Sequence, residues 1–298
     1  MRIGVFVFIL NMPLLTLPYI YNLTFLQNAD FNIKALSDYH DKDHQSTYEQ
    51  SFLIRDYLST CCPKTTKVIV EDLTSLTSQT SNHGLLSGLA SYCKSCNLLV
   101  QNVEYRALRV KALAPFVYEP LKNPFDCPDA CTITIGQLLQ ELTNVTKDMA
   151  SFQFPRVLHK SVAKIIADTQ KNVADLKWHD ALQMSVAEYV GRIPPHERLM
   201  QVKKMLMCDV KLFDLCIVAR VLEKPYQQTL IFAGGSHVDQ VVQLLKKIGY
   251  KSLLSTKPSF FTETDLTRCV TAHIYNNSYC LKPHPVDIKL LTQKSQGE

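Results

Sequence analysis

Thr229-Leu-Ile-Phe-Ala233 is apolar at alternate and intervening positions alike, and it runs without a polar break into Gly234-Gly-Ser-His237. Successive side chains of a strand point to opposite faces, so such a run needs cover on both sides, the condition of a strand buried in a parallel sheet. Val238, Val241, Val242, Leu245 and Ile248 then recur at helical spacing up to Gly249, which predicts a helix directly behind the strand. Lys67-Val-Ile-Val70 repeats the pattern after a turn at Pro63 and is ended by Glu71-Asp72. Asn97-Leu-Leu-Val100, behind a predicted helix over 83–94, is a third run and finishes in Gln101, Asn102, Glu104 and Arg106. Strands covered on both faces and separated by helices predict an α/β protein with a mostly parallel sheet flanked by helices.

The segment Phe31 to Leu36 is strand-like and turns abruptly into Ser37, Asp38, Tyr39, His40, Asp41, Asp43 and His44. A hairpin is predicted between Tyr19-Ile-Tyr-Asn-Leu23 and this strand through Gln27-Asn28-Ala29-Asp30. In extended chain Asp38 and His40 point together while Tyr39 faces the other side, the smallest unit of acid/base or metal chemistry in the chain. Ser46 then suits a helix cap, with Tyr48, Phe52, Leu53 and Leu58 at roughly helical spacing behind it. From about 134 to 226 the pattern is helical throughout, with a cap at Thr134, breaks at Pro155 and Pro194-Pro195, and a long amphipathic segment from His196 to Glu223. This block is read as an insertion between the sheet halves of a single domain over 19–298. Tyr250 to Leu254 reads as one more strand, and the tail beyond it carries no interpretable pattern.

Residues 1–18 have a basic start and an apolar centre, the outline of an export signal, but no clear cleavage site follows, so exported and cytoplasmic readings both stand. Asn11, Pro13 and Pro18 interrupt this stretch, which argues against a membrane span. The formal net charge of +5 and the absence of any long Lys/Arg run give no sign of nucleic-acid binding. Cys93-Lys-Ser-Cys96 and Cys127-Pro-Asp-Ala-Cys131 have the spacing of a four-thiolate zinc site. Neither pair carries a glycine-rich knuckle, and buried thiols or the disulfides of an exported protein explain ten cysteines equally well.

Each apolar run, and the opening segment, ends in polar groups: Asp38 with His40, Glu71, Asn102 with Arg106, and Gly234 to His237. In open parallel sheets the ligand crevice lies outside the carboxyl ends of the strands, so these groups are expected to converge. Alone, each has an ordinary explanation: a satisfied histidine, an acid at a helix start, a solvated arginine, or Ser236 as a cap.

Leu36-Ser-Asp-Tyr-His-Asp-Lys-Asp-His-Gln45 resembles the G-E-x-H-D-x-x-x-H opening of the ChaN-like proteins, and Thr229 to Tyr250 is similar to the closing motif of the Tiki/TraB proteins. These families and the erythromycin esterases share two G-x-x-H motifs and a strand-end Glu, here matched by Gly234 with His237 and by Glu71. Ser37 and Asp38 stand where Gly and Glu are usual. The resemblance implies a hydrolase of small molecules or peptides. In its metal form His40, His237 and Glu71 hold zinc, manganese or cobalt, and the ion activates water. In its metal-free form His40 is the general base, Asp38 or Glu71 orients it, and Arg106 stabilises the oxyanion. The superfamily also holds a haem-binding lipoprotein, so a non-catalytic haem or ligand site using a crevice histidine or Tyr39 is the alternative, with an inactive interaction protein behind it.

Overall fold

The computed structural model describes residues 20–28, 31–38, 54–56, 58–60, 62–72, 88–118, 123–224 and 226–255. All of these belong to one compact unit, Pro18–Pro258. Residues 1–18, Tyr39, His40 and the tail from 256 onward lie outside the described set, as does most of the helix predicted behind Ser46, of which 54–56 and 58–60 are described as helical.

The described residues begin with a hairpin, β1 (Ile20–Asn28) and β2 (Phe31–Asp38), and continue with β3 (Lys67–Val70), α1 (Leu89–Ser95), β4 (Leu99–Asn102) and α2 (Ala107–Tyr118). A helical stretch follows: α3 (Pro128–Thr132), α4 (Ile135–Ser151), α5 (His159–Asp175), α6 (Val186–Gly191), α7 (Pro195–Met207) and α8 (Val210–Glu223). The chain then returns to the sheet with β5 (Gln228–Gly234), α9 (Gly235–Lys247) and β6 (Lys251–Ser255). The six strands lie in the order β4-β3-β5-β2-β1-β6. β4, β3, β5 and β2 pair in parallel, while β1 is antiparallel to both β2 and β6. The fold is therefore α/β with a mostly parallel mixed sheet.

Two departures from the sequence pattern have local causes. β4 starts at Leu99, not at Asn97, because Asn97 takes a left-handed conformation (φ 58°) and Leu98 N–H donates to Cys93 O, which closes α1 first. The segment from His196 to Glu223 is two helices, α7 and α8, broken at Cys208-Asp209. Asp209 there has φ −128° and ψ 17° and sends its carboxylate inward to Tyr105 and Arg109.

The alternation of β3 and β5 feeds two cores. Ile69 and Ile231, with Ile33 and Ala35, pack against α8 and α9. Val68, Val70, Leu230 and Phe232 pack on the other face against Leu89 and Cys93. Cys127 belongs to the first core and Cys93 to the second, on opposite sides of the sheet, while Cys96 is half-buried and Cys131 exposed, so the two pairs do not form one zinc site. The seven cysteines among the described residues are free thiols. No helix among the described residues is long and apolar enough to cross a membrane.

Lys67 is the one charged residue inside β3, and it is 1 % exposed. Its ammonium donates to Arg220 O and, at 3.4 Å, to Lys224 O, carbonyls at the C-terminal end of α8 that have no further turn to accept from. Burial pulls the Lys67 pKa below its ordinary value. This contact ties the amino end of β3 to the helix that supplies the site at the other end. Lys67→Met, which keeps the length and removes the donor, is expected to lower stability by about 1–3 kcal/mol in urea denaturation.

Candidate functional site

The carboxyl ends of β3 and β5 bring Glu71 and Gly234 side by side. One residue beyond the Val70–Phe232 pair, Glu71 N–H donates to Phe232 O, which puts its side chain on the face of Ile69 and Ile231, beneath α8 and α9. The Glu71 carboxylate accepts from Gly234 N–H at 2.8 Å through Oε2 and from Arg106 Nη2 at 2.8 Å through Oε1. Arg106, immediately before α2, also donates from Nε and Nη2 to Glu104 Oε1 and Oε2 at 3.0 and 2.7 Å, and its own N–H adds a bond to Oε1 at 2.7 Å. The guanidinium is thus forked onto Glu104 and shared with Glu71. Its pKa is held well above the usual value, because the charges of Glu104 and then Glu71 outweigh the cost of burial.

His237 enters from the first turn of α9, delivered by β5. Its Nδ1 lies 2.7 Å from Asp214 Oδ1, and its Nε2 lies 3.9 Å from Glu71 Oε1. Burial raises the Asp214 pKa, while the hydrogen bond from His237 opposes that rise. An ionised carboxylate only accepts, so in this pairing Nδ1 donates to Asp214 and Nε2 is turned toward Glu71. The 3.9 Å separation is too long for a direct hydrogen bond. Phe213, next to Asp214 on α8, packs against both Arg106 and His237: Arg106 Cζ sits 3.9 Å from its ring centroid, and the His237 ring meets it edge-on at 4.6 Å.

Two further groups hold these in place. Asn102, at the end of β4, accepts from the N–H groups of Asp72 and Glu104 at 3.1 Å each and donates to Asp72 O at 2.7 Å, clipping the ends of β3 and β4 together. Asp72 in turn caps α1 by accepting from Gly88 and Ala90 N–H. Behind Arg106 lies a second buried set: Asp209 accepts from Tyr105 Oη at 2.6 Å and from Arg109, which also reaches Cys208 Sγ. Glu141 adjoins this set through a 3.5 Å bond from Leu108 N–H.

Of the residues singled out in the sequence, Glu71, Arg106 and His237 meet in one cluster. The backbone of Asp38 pairs with Gly234 at the same rim of the sheet. His40 lies outside the described residues, and with it the imidazole partner proposed for His237. Asp214 and Glu104 were missed as site residues. The available signal for Asp214 was a lone acid inside the apolar run Leu212 to Val218, because a carboxylate on a helix buried all round needs a partner.

The described donors do not fit a metal ion. No group of three or more His, Cys, Asp or Glu among the described residues is placed to hold one. The place a cation would take beside Glu71 is filled by the Arg106 guanidinium, and one imidazole nitrogen of His237 is bound to Asp214. No family model, curated protein or solved structure matches this chain.

Glu141 is the group here that titrates near neutrality, its pKa pushed up to about 7 by burial against the pull of Arg109. Its ordinary value is 4.5, so the folded protein binds the proton more tightly than the unfolded chain does. That preference supports folding fully below the ordinary value and is lost as pH rises through the folded one. Stability measured by denaturation between pH 5 and 8 is therefore expected to fall with rising pH, with a shallower fall in Glu141→Gln.

Proposed function

We propose that this protein is a hydrolase in which a water molecule is activated between His237 Nε2 and Glu71. The observation that supports it is the ordered chain Asp214–His237–Glu71–Arg106, drawn from four separate elements to the carboxyl ends of the strands. Asp214 fixes the ring and stabilises the imidazolium formed when Nε2 takes a proton. Arg106 and the Gly234 amide hold the Glu71 carboxylate in place, so that it accepts from the same water. This assigns the base role to His237 oriented by Asp214, where the sequence pattern had suggested His40 oriented by Asp38 or Glu71. Both versions agree with the reaction class that the resemblance implied.

Turnover is expected in a panel of ester and amide substrates. His237→Ala is expected to reduce it by about 100- to 10,000-fold and Asp214→Asn to reduce it through loss of the correct tautomer. Activity surviving dialysis against EDTA supports the metal-free form. Activity lost on dialysis and restored by zinc, manganese or cobalt, with His40→Ala abolishing metal uptake, would replace it with the metal form. A Soret band on haem titration that disappears in His237→Ala, in protein without turnover, would replace the hydrolase with the ligand-binding reading.

A further inference from the structure

The hydrolase reading needs donors for the oxyanion, and two of the three guanidinium nitrogens of Arg106 are already committed to carboxylates. The Nε hydrogen of Arg106 goes to Glu104, and Nη2 is shared between Glu104 and Glu71. A different group of donors lies on the other side of the Gly234 turn. β5 passes straight into α9, a helix of 13 residues whose first turn has no side-chain cap. Such a turn directs N–H groups and the positive end of the helix dipole to one point. The hydroxyl of Ser37 is buried beside it: Ser37 pairs with Ala233, is 0 % exposed, and has an Oγ with no hydrogen-bond partner. Ser37 shares the strand face of Ile33 and Ala35, which pack in one core with Val238 and Val241 of α9. Its hydroxyl is therefore on the side of the sheet that α9 covers, at the end where α9 starts.

Building on the hydrolase reading, we infer that Ser37 Oγ and the first-turn amides of Gly235 and Ser236 form an oxyanion pocket for the carbonyl oxygen of an ester or amide substrate. Water oxygen bonds to the carbonyl carbon as its proton passes to His237 Nε2, and the carbonyl π pair moves onto the oxygen held by the pocket. When that pair returns, the bond to the alkoxy or amino group breaks. The proton on His237 goes to this leaving group, so the products are a carboxylic acid and an alcohol or amine. Gly at position 37, usual in the resembled families, would leave the amides without the hydroxyl.

The test uses full-length protein and two probes, p-nitrophenyl acetate as substrate and the monomethyl ester of methylphosphonic acid as a tetrahedral oxyanion mimic. Addition of the phosphonate is expected to shift the amide resonances of Gly235 and Ser236. Ser37→Ala and Ser37→Gly are each expected to weaken that binding by about ten-fold or more and to lower kcat on the ester by a similar factor. The melting temperature of Ser37→Ala should stay level or rise, since the unpaired hydroxyl is gone. Unchanged phosphonate affinity and kcat in both variants, or shifts confined to other amides, would overturn the pocket. Hydrolysis that depends on His237 but ignores Ser37 keeps the hydrolase and overturns the pocket. Ser37-dependent phosphonate binding by a wild-type protein without turnover keeps the pocket and overturns the hydrolase.

Discussion

The Glu71 carboxylate, 5 % exposed, is the joint on which this end of the molecule is assembled. A carboxylate taken out of water is costly unless its oxygens are answered, and here one oxygen meets an amide and the other a guanidinium. The amide belongs to the β5–α9 junction and the guanidinium to the start of α2, so one side chain at the end of β3 fixes the position of two other elements. The guanidinium has its own anchor in Glu104 and a ring beneath it in Phe213. Removing Arg106 would leave Glu71 and Glu104 buried without the cation they share, which makes these three side chains depend on one another.

α8 shows how the helical stretch serves the sheet. Its residues from Leu212 to Ala219 are buried, and it packs against β3, α9, α4 and α5. Two adjacent positions on it, Phe213 and Asp214, touch His237, one by packing and one by hydrogen bond. The same helix is held at its far end by Lys67 from β3. The helical stretch thus supplies one side of the cluster, and the carboxylate bonded to the imidazole comes from a part of the chain that matched no motif.

What could be read in advance was whatever repeats with a period or needs cover on both faces. The runs Lys67–Val70 and Thr229–Ala233 announced buried parallel strands, and their polar ends announced the rim where Glu71, Arg106 and His237 meet. The β1–β2 hairpin was legible from its turn residues. Strand order was not, because β5 slips between β3 and β2 from far along the chain and no local pattern encodes that neighbour. Asp214 was hidden because a single acid hardly alters an apolar periodicity, and the break at Asp209 because its cause is a long-range pull toward Tyr105 and Arg109. Glu104 stood in the polar end of the third run, but its grip on Arg106 depends on side-chain geometry that spacing does not carry.

The junction between β5 and α9 has no connecting residue: Gly234 closes the strand and Gly235 begins the helix. A helix advances about 100° and 1.5 Å per residue, so one residue added or deleted between them would swing the imidazole away from both carboxylates at once. Related sequences, however divergent, should keep the spacing from the last strand residue to this histidine even where the residues themselves have changed.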